Sequence, residues 1–244
     1  MLKIKEKISS YEAHNKQYED VNSLEWHKKI YQQYKDEKIF EKLKFKKIIK
    51  DFVIFKDLHI DIGSGAGWLL GYTAPLFKKV IGIEPSSAAI EISKYFNKEY
   101  ENIEHINSGM VEGLAKINVN IPVFITTSTV LSHINDFEVK KFLEKVNNLP
   151  DSSILFFQEP YGKNRQQYLW HIRNREWWAK NLYDWDLNFD NNFDDGYFRG
   201  IIGQRVGKEN VKNKYKINIY EKMAWFLSGI PSRFKMFMRF CGIK

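Results

Sequence analysis

The chain has 244 residues, 43% of them hydrophobic, and a formal net charge of +8. Its length suffices to bury a sizeable core, and its single cysteine, Cys241, excludes an intrachain disulfide and a cysteine-based zinc cluster. No stretch reaches the roughly 18 apolar residues that span a bilayer, and residues 1–10 lack the apolar run of a signal peptide, so a reducing cytoplasm is the expected compartment.

The positive charge permits an acidic partner. The lysines are nevertheless spread over the whole chain beside many Ile, Asn, Phe and Tyr residues, a mixture typical of codon bias in an AT-rich genome. We therefore expect no nucleic-acid partner. The sequence leaves the oligomeric state open.

The first 50 residues are predicted to form a helical cap. Ser23 is a suitable N-cap, and apolar residues recur at roughly helical spacing from Ser23 to Lys50, with lysines between them. This pattern predicts a long helix with a solvated, lysine-rich face.

The stretch from Leu58 to Ser86 predicts a strand, a glycine turn, a helix and a second strand. His59–Ile62 and Val80–Ile83 are the apolar strand runs, and Trp68–Phe77 is the helix, limited near its end by Pro75. Such a unit is half of a nucleotide-binding α/β sheet.

The glycines and acids of this unit are suited to binding a nucleotide. Gly63, Gly65 and Gly67 allow the backbone to approach a ligand where a Cβ would collide. Glu84 lies 23 residues after Asp61 (84 − 61), close to the spacing of about 20 residues at which an acid reaches a ribose. A tight structural turn is the alternative.

Two strings in this unit resemble a known family. DIGSGAG resembles motif I, and IGIEPS motif II, of the class I S-adenosylmethionine-dependent methyltransferases. The resemblance implies a Rossmann-like fold and S-adenosylmethionine as the cofactor, with the turn around its methionine part and the motif II acid on its ribose. The cofactor-binding residues that it implies here are Asp61, Gly63, Ser64, Gly65, Gly67, Glu84 and Pro85.

Three further strands are predicted at Ile103–Ile106, Ile121–Thr127 and Asp151–Phe157, with one helix before them at Ser86–Phe96 and another before the last strand at Asp136–Asn147. The alternation predicts an α/β fold with a doubly wound, seven-stranded, mostly parallel sheet. Ligands bind beyond the carboxyl ends of such strands. The resemblance therefore adds Gly109, Met110 and Ser128 to the cofactor site, although Met110 stands where the family often has an aspartate toward adenine.

Three residues are candidates for catalysis. His133 is the first choice for a general base, because histidine as a residue type is suited to proton transfer near neutral pH and this one follows the fourth strand. Glu159, at the end of the fifth strand, and His171 are its rivals. His133 could instead position a helix start or contact the acceptor without taking its proton.

Residues 161–244 are predicted to recognise the acceptor. Lys163–Leu182 is predicted as an aromatic, basic helix, and Tyr183–Gly196 as an acidic loop whose spacing does not match a calcium site. Tyr197–Val206 and Tyr215–Phe226 are predicted as a C-terminal hairpin. With residues 1–50 as the cap and 51–160 as the cofactor-binding core, we interpret residues 1–244 as one domain without a metal.

The sequence therefore predicts a methyltransferase that modifies a hydroxyl of a small polar acceptor, such as a nucleotide-linked sugar or a polysaccharide precursor. Three alternatives stay open. They are an RNA or protein methyltransferase, a protein that binds S-adenosylmethionine without catalysis, and a nicotinamide-dependent oxidoreductase. The glycine spacing, with Trp68 where a dehydrogenase favours other residues, counts against the last.

Overall fold

A computed structural model describes residues 25, 28, 31–32, 39–159, 165–167, 170–190 and 199–206. Its main feature is a seven-stranded sheet. The strands are β1 Leu58–Ile62, β2 Lys79–Glu84, β3 Ile103–Asn107, β4 Phe124–Ser128, β5 Ile154–Glu159, β8 Trp185–Asp190 and β9 Arg199–Arg205. Their order across the sheet is β3-β2-β1-β4-β5-β9-β8. A separate two-stranded sheet pairs β6 Arg165–Gln167 with β7 Trp170–Ile172.

The first five strands pair in parallel, and β9 runs antiparallel to β5 and to β8. All residues of β1 and β5 are buried, as expected for parallel strands covered on both faces. The predicted doubly wound, mostly parallel sheet is confirmed.

Helices connect these strands. They are α1 Ile39–Asp51, α2 Trp68–Thr73, α3 Ser87–Phe96, α4 Met110–Ala115, α5 Asp136–Val146 and α6 Arg175–Asn181. Pro75 lies in a 3-10 turn, Ala74–Leu76, directly after α2, because proline cannot continue the α-helical bonding. Ser86 caps α3 by accepting a bond from the Ala89 amide at 3.3 Å.

The core on one face of the sheet joins α1 to the strands. Phe45 and Ile48 of α1 are fully buried in a cluster with Leu70 and Phe156, and the rings of Phe45 and Phe156 meet edge to face at 5.2 Å. The apolar side of the predicted N-terminal helix therefore packs on the sheet, while the side chains of residues 46, 47 and 50 remain exposed.

Two predictions for the second half are wrong. Residues 185–190 form strand β8 rather than part of a loop. Trp185, Leu187 and Phe189 are buried and alternate with polar residues, and the backbone of the strand pairs with β9. Residues 163–182 do not form one helix, since β6, β7 and the short α6 occupy the described part of that range.

The predicted strand at 197–206 is confirmed as β9, but its antiparallel partners are β5 and β8. The proposed pairing partner at 215–226 and the acceptor-region segments beyond residue 206 lie outside the described residues. The interpretation of the whole chain as one domain stays a prediction. Within the described ranges, no helix combines the length and apolar character that crossing a membrane requires.

Candidate functional site

A cavity of about 630 Å³ opens where β1, β2 and β4 end. This is the edge at which open parallel sheets bind their ligands, and the volume lies within the range of small-molecule sites. Its lining comes from the loops after four strands and from α4 and α5. The lining residues are Ile62, Gly63, Gly65, Ile83, Glu84, Pro85, Ser108, Gly109, Met110, Val111, Glu112, Ser128, Thr129, Val130, His133, Ile134, Phe137, Glu138 and Lys141.

The glycine turn forms one wall of the cavity. All three of its glycines have positive φ, +68° at Gly63, +52° at Gly65 and +79° at Gly67, which favours glycine. A Cβ built on Gly63 would lie 2.3 Å from Val130 Cγ2, and one on Gly67 would lie 1.8 Å from Ser93 Oγ. A Cβ on Gly65 would meet nothing within 4 Å, so of these three glycines only Gly65, which lines the cavity, has open space beside it.

The Glu84 carboxylate is held at the cavity by two backbone amides. Gly65 N donates to Oε2 at 2.9 Å, and Ser86 N donates to Oε1 at 3.0 Å. Glu84 is only 5% exposed, and this burial raises its pKa, while the two amide bonds oppose the rise. The turn thus orients a carboxylate that keeps further lone pairs for a ligand.

Asp61 lies beneath the turn and does not line the cavity. Its Oδ1 accepts a 2.7 Å bond from Thr126 Oγ1 of β4. Burial raises the Asp61 pKa to about 7, against the effect of the Thr126 bond. This placement gives no support to the predicted contact between Asp61 and a cofactor. Asp61 instead joins two central strands through its bond to Thr126 of β4.

A buried histidine extends the same network. The ring nitrogens of His59 lie 2.8 Å from Thr73 Oγ1 and 2.9 Å from Thr126 Oγ1. His59 is fully buried, and this burial lowers its pKa to about 3. It therefore stays neutral at physiological pH and links β1 to α2 and β4. It does not line the cavity.

The loop after β4 supplies the opposite wall. Ser128, Thr129, Val130 and His133 all line the cavity, and the Val130 side chain packs where a Cβ on Gly63 would lie. Thr129 has a φ of +60°, an outlier for a β-branched residue. The predicted base, His133, ends a 3-10 turn, Leu131–His133, and is thus placed at the cavity.

Eight of the predicted site residues line the cavity. They are Gly63, Gly65, Glu84, Pro85, Gly109, Met110, Ser128 and His133. Ser64 and Gly67 lie outside the lining, because the Ser64 side chain points toward Gly82 of β2 and Gly67 packs against Ser93 of α3.

Two of the three predicted catalytic residues do not reach the cavity. Glu159 is fully buried, and its oxygens accept four bonds from β4 and the loop after it. His171 lies on β7, outside the lining. A role for Glu159 as general base is therefore corrected, since its carboxylate is enclosed and already occupied by donors.

The sequence reasoning missed the contribution of α5. Phe137, Glu138 and Lys141 line the cavity from one side of that helix, and Lys141 Nζ lies 4.2 Å from the centre of the Phe137 ring. Lys141 follows Phe137 by four residues and Glu138 by three, and these two spacings place helical residues on one face. The spacing does not show whether that face is turned to a ligand, so the sequence predicts α5 only as a crossover helix.

Comparison with known proteins bears on the family and on the fold. A family model described as "Methyltransferase domain" matches residues 38–191. A Dictyostelium discoideum protein provisionally named a methyltransferase is 34% identical over 125 residues, which cover 46% of this chain and 47% of that protein. The alignment thus spans about half the length of that relative.

Two solved structures share the fold. One is CalS10 with bound S-adenosylmethionine, an amino pentose methyltransferase from Micromonospora echinaspora, with a TM-score of 0.60, 12% identity, and coverage of 73% of this chain and 96% of that chain. The other is the N-methyltransferase NodS from Bradyrhizobium japonicum with S-adenosylhomocysteine, with a TM-score of 0.53, 15% identity, and coverage of 70% and 89%.

Proposed function

The chain belongs to the methyltransferase domain family, whose cofactor is S-adenosylmethionine, and on that premise we propose that it methylates a hydroxyl group of a small polar acceptor. The observation that carries the proposal is the junction of Gly65 and Glu84. Open space at Gly65 and a buried, oriented carboxylate meet at one wall of the cavity.

The cavity residues fit the cofactor. A side chain at Gly65 would fill the space that a closely packed ligand needs, whereas Gly65 itself leaves it open. Glu84 is suited to accept bonds from the ribose hydroxyls, and Gly109 and Met110 to contact the base. When bound, S-adenosylmethionine supplies a methyl group that is already activated on a sulfonium.

The task left to the chain is to position the acceptor and to remove its proton. His133 lines the cavity, and a neutral imidazole nitrogen can take a proton from a hydroxyl held within hydrogen-bond distance. We therefore assign His133 the role of general base. Orientation of the acceptor by the cavity wall supplies the larger part of the acceleration.

The charges at the cavity bear on the class of acceptor. Besides Glu84, which we assign to the ribose, Glu112 and Glu138 line it together with one lysine, Lys141, so that the remaining carboxylates still outnumber the lysine. This balance favours a cationic or neutral group inside the cavity over a phosphate. In a nucleotide-linked sugar or a polysaccharide precursor, the sugar would enter the cavity and the diphosphate would remain outside.

The experiment combines calorimetric titration with an acceptor screen. The protein is titrated with S-adenosylmethionine, S-adenosylhomocysteine and NAD, and then incubated with labelled S-adenosylmethionine and neutral sugars, amino sugars, nucleotide sugars, RNA or protein. We expect binding of the first two ligands, no binding of NAD, and label transfer to a sugar. His133→Gln should lower kcat at least tenfold with the S-adenosylhomocysteine Kd nearly unchanged.

Each other outcome has a definite meaning. Binding of NAD alone would overturn the assignment. Label transfer to RNA or protein but not to sugars would replace the acceptor class, and tight S-adenosylmethionine binding without transfer to any acceptor would favour a binding protein without catalysis. Wild-type kcat in His133→Gln would remove the assigned base.

A further inference from the structure

We infer that Glu159 and Arg173 are positioning residues, which hold the loop of residues 130–134 from two sides and thereby set His133 against the cavity. The inference rests on the proposed function for its kinetic consequence, but its structural part stands independently. Both residues are buried charges, 0% and 3% exposed, and neither lines the cavity.

Glu159 holds the amide side of the loop. Its Oε1 accepts bonds from Val130 N at 2.9 Å and Leu131 N at 3.0 Å, and its Oε2 accepts one from Ser132 N at 3.1 Å. Three consecutive backbone donors thus converge on one carboxylate. Burial raises the Glu159 pKa because it disfavours the charged form, while these bonds oppose the rise.

Arg173 holds the carbonyl side of the same loop. Its two terminal nitrogens donate to Leu131 O at 2.7 Å and Ile134 O at 2.6 Å, and its Nε donates to Asp136 Oδ1 at 2.9 Å. Burial lowers the Arg173 pKa, whereas the charges of Asp136 and Glu159 act in the opposite direction. The loop is therefore enclosed between a carboxylate on its donors and a guanidinium on its acceptors.

The loop needs such support because its start is strained. Thr129, the residue directly after β4, adopts a φ of +60°. A β-branched residue keeps this strained backbone conformation only when the surrounding structure holds it. The next residue, Val130, packs against the turn at Gly63. His133, three residues further, lines the cavity, so a small shift of the loop would move it relative to both walls.

Arg173 also connects this loop to the segment that carries the aromatic residues. It lies between β7, which packs on the 3-10 turn of residues Leu131–His133, and α6. Its guanidinium lies 4.8 Å from the centre of the Trp177 ring and 6.0 Å from that of Trp178. The position of the loop is thus set by residues of the region that we assign to acceptor recognition.

The test uses Arg173→Lys and Glu159→Gln. Lysine keeps the charge but has no planar fork to serve both carbonyls, and glutamine keeps the shape but opposes an NH₂ group to one of the amides. The matched control is Arg205→Lys, since Arg205 is also largely buried, donates to the Leu149 carbonyl and lies near Asp184. It is the last residue of β9 and does not line the cavity.

The first readout needs neither cofactor nor acceptor. Amide hydrogen exchange at residues 130–132 and the NMR signals of the His133 ring are measured in each full-length variant. In Arg173→Lys and in Glu159→Gln, where the variant folds, we expect amide exchange at least tenfold faster and shifted His133 signals. We expect neither change in Arg205→Lys. Wild-type exchange and His133 signals in Arg173→Lys would overturn the inference, even if Glu159→Gln failed to fold.

The second readout is a double-mutant cycle on kcat. Arg173→Lys should lower kcat at least tenfold in the wild-type background but less than twofold in the His133→Ala background, because the two changes then act on the same group. Equal losses in both backgrounds would contradict positioning through His133. If wild-type protein fails to bind S-adenosylhomocysteine, the proposed function is wrong. The exchange measurement still tests whether Glu159 and Arg173 hold the loop of residues 130–134.

Discussion

The sharpest test of the cofactor site is the substitution of Gly65 by alanine. In the folded protein, the added Cβ would meet no protein atom within 4 Å. The only structural cost is the positive φ of +52°, for which an alanine loses about 1–2 kcal/mol. For a chain of this size, that corresponds to a fall in Tm of about 2–8 °C.

The effect on the cofactor should be larger than this modest loss implies. The methyl group would occupy the cavity wall at which we place S-adenosylmethionine, beside the carboxylate of Glu84. Forcing a methyl group into a packed contact costs about 1–3 kcal/mol. The Kd for S-adenosylhomocysteine should therefore rise about 5- to 150-fold.

Gly67→Ala provides the opposite case. A Cβ at that position would lie 1.8 Å from Ser93 Oγ, inside the protein and away from the cavity, so the free energy of unfolding should fall further than in Gly65→Ala. Calorimetric titration and thermal unfolding of both variants check this order. Wild-type affinity in a folded Gly65→Ala protein would refute the reasoning, because the turn could then not be in contact with the cofactor.

Four more predictions concern single side chains. Glu84→Gln should raise the S-adenosylhomocysteine Kd at least tenfold, because an NH₂ group would face one of the two amides that now donate to Glu84; an unchanged Kd in calorimetry would contradict this. The folded-state pKa of Asp61, about 7, lies above its ordinary value of 3.8. Its contribution to the free energy of unfolding therefore decreases as pH rises from about 4 to 7. Urea unfolding of Asp61→Asn at several pH values should lack this decrease. His59 acts with the opposite sign, because its folded pKa of about 3 lies below 6.5 and stability is lost as pH falls between these values; His59→Gln should resist acid better than wild type relative to its own stability at pH 7. Thr129→Gly should raise the free energy of unfolding by about 1 kcal/mol, since glycine relieves the φ of +60°, and a lower Tm would show that the Thr129 side chain contributes more than the strain costs.

Local pattern was enough to predict the first half of the sheet and the family. The apolar runs, the glycines at 63, 65 and 67 and the acid at 84 follow one another within 29 residues, so their spacing reflects one continuous strand–turn–helix–strand unit. Eight predicted residues line the cavity, because the carboxyl ends of parallel strands meet at one edge of a sheet. The predicted fold and the methyltransferase family are confirmed.

Other decisions depended on contacts between distant segments. The alternation in residues 185–190 was visible in the sequence, but the high density of aspartates favoured a loop, and only pairing with β9 makes it a strand. Phe137, Glu138 and Lys141 belong to the cavity because α5 packs beside α4, and the sequence does not show which face of a crossover helix is turned to a ligand.

The division of roles among the acids was also decided by tertiary structure. Asp61, Glu84 and Glu159 all stand near the ends of strands, where the sequence predicted ligand or catalytic contacts for each. The structure gives only Glu84 to the cavity. Asp61 bonds across to β4, and Glu159 bonds to the loop after it. The sequence by itself determined which strand ends carry carboxylates. The packing of neighbouring strands and loops decided which carboxylate faces the cavity and which are enclosed by protein donors. This could not be predicted from the sequence, because the donors lie up to 65 residues away in the chain.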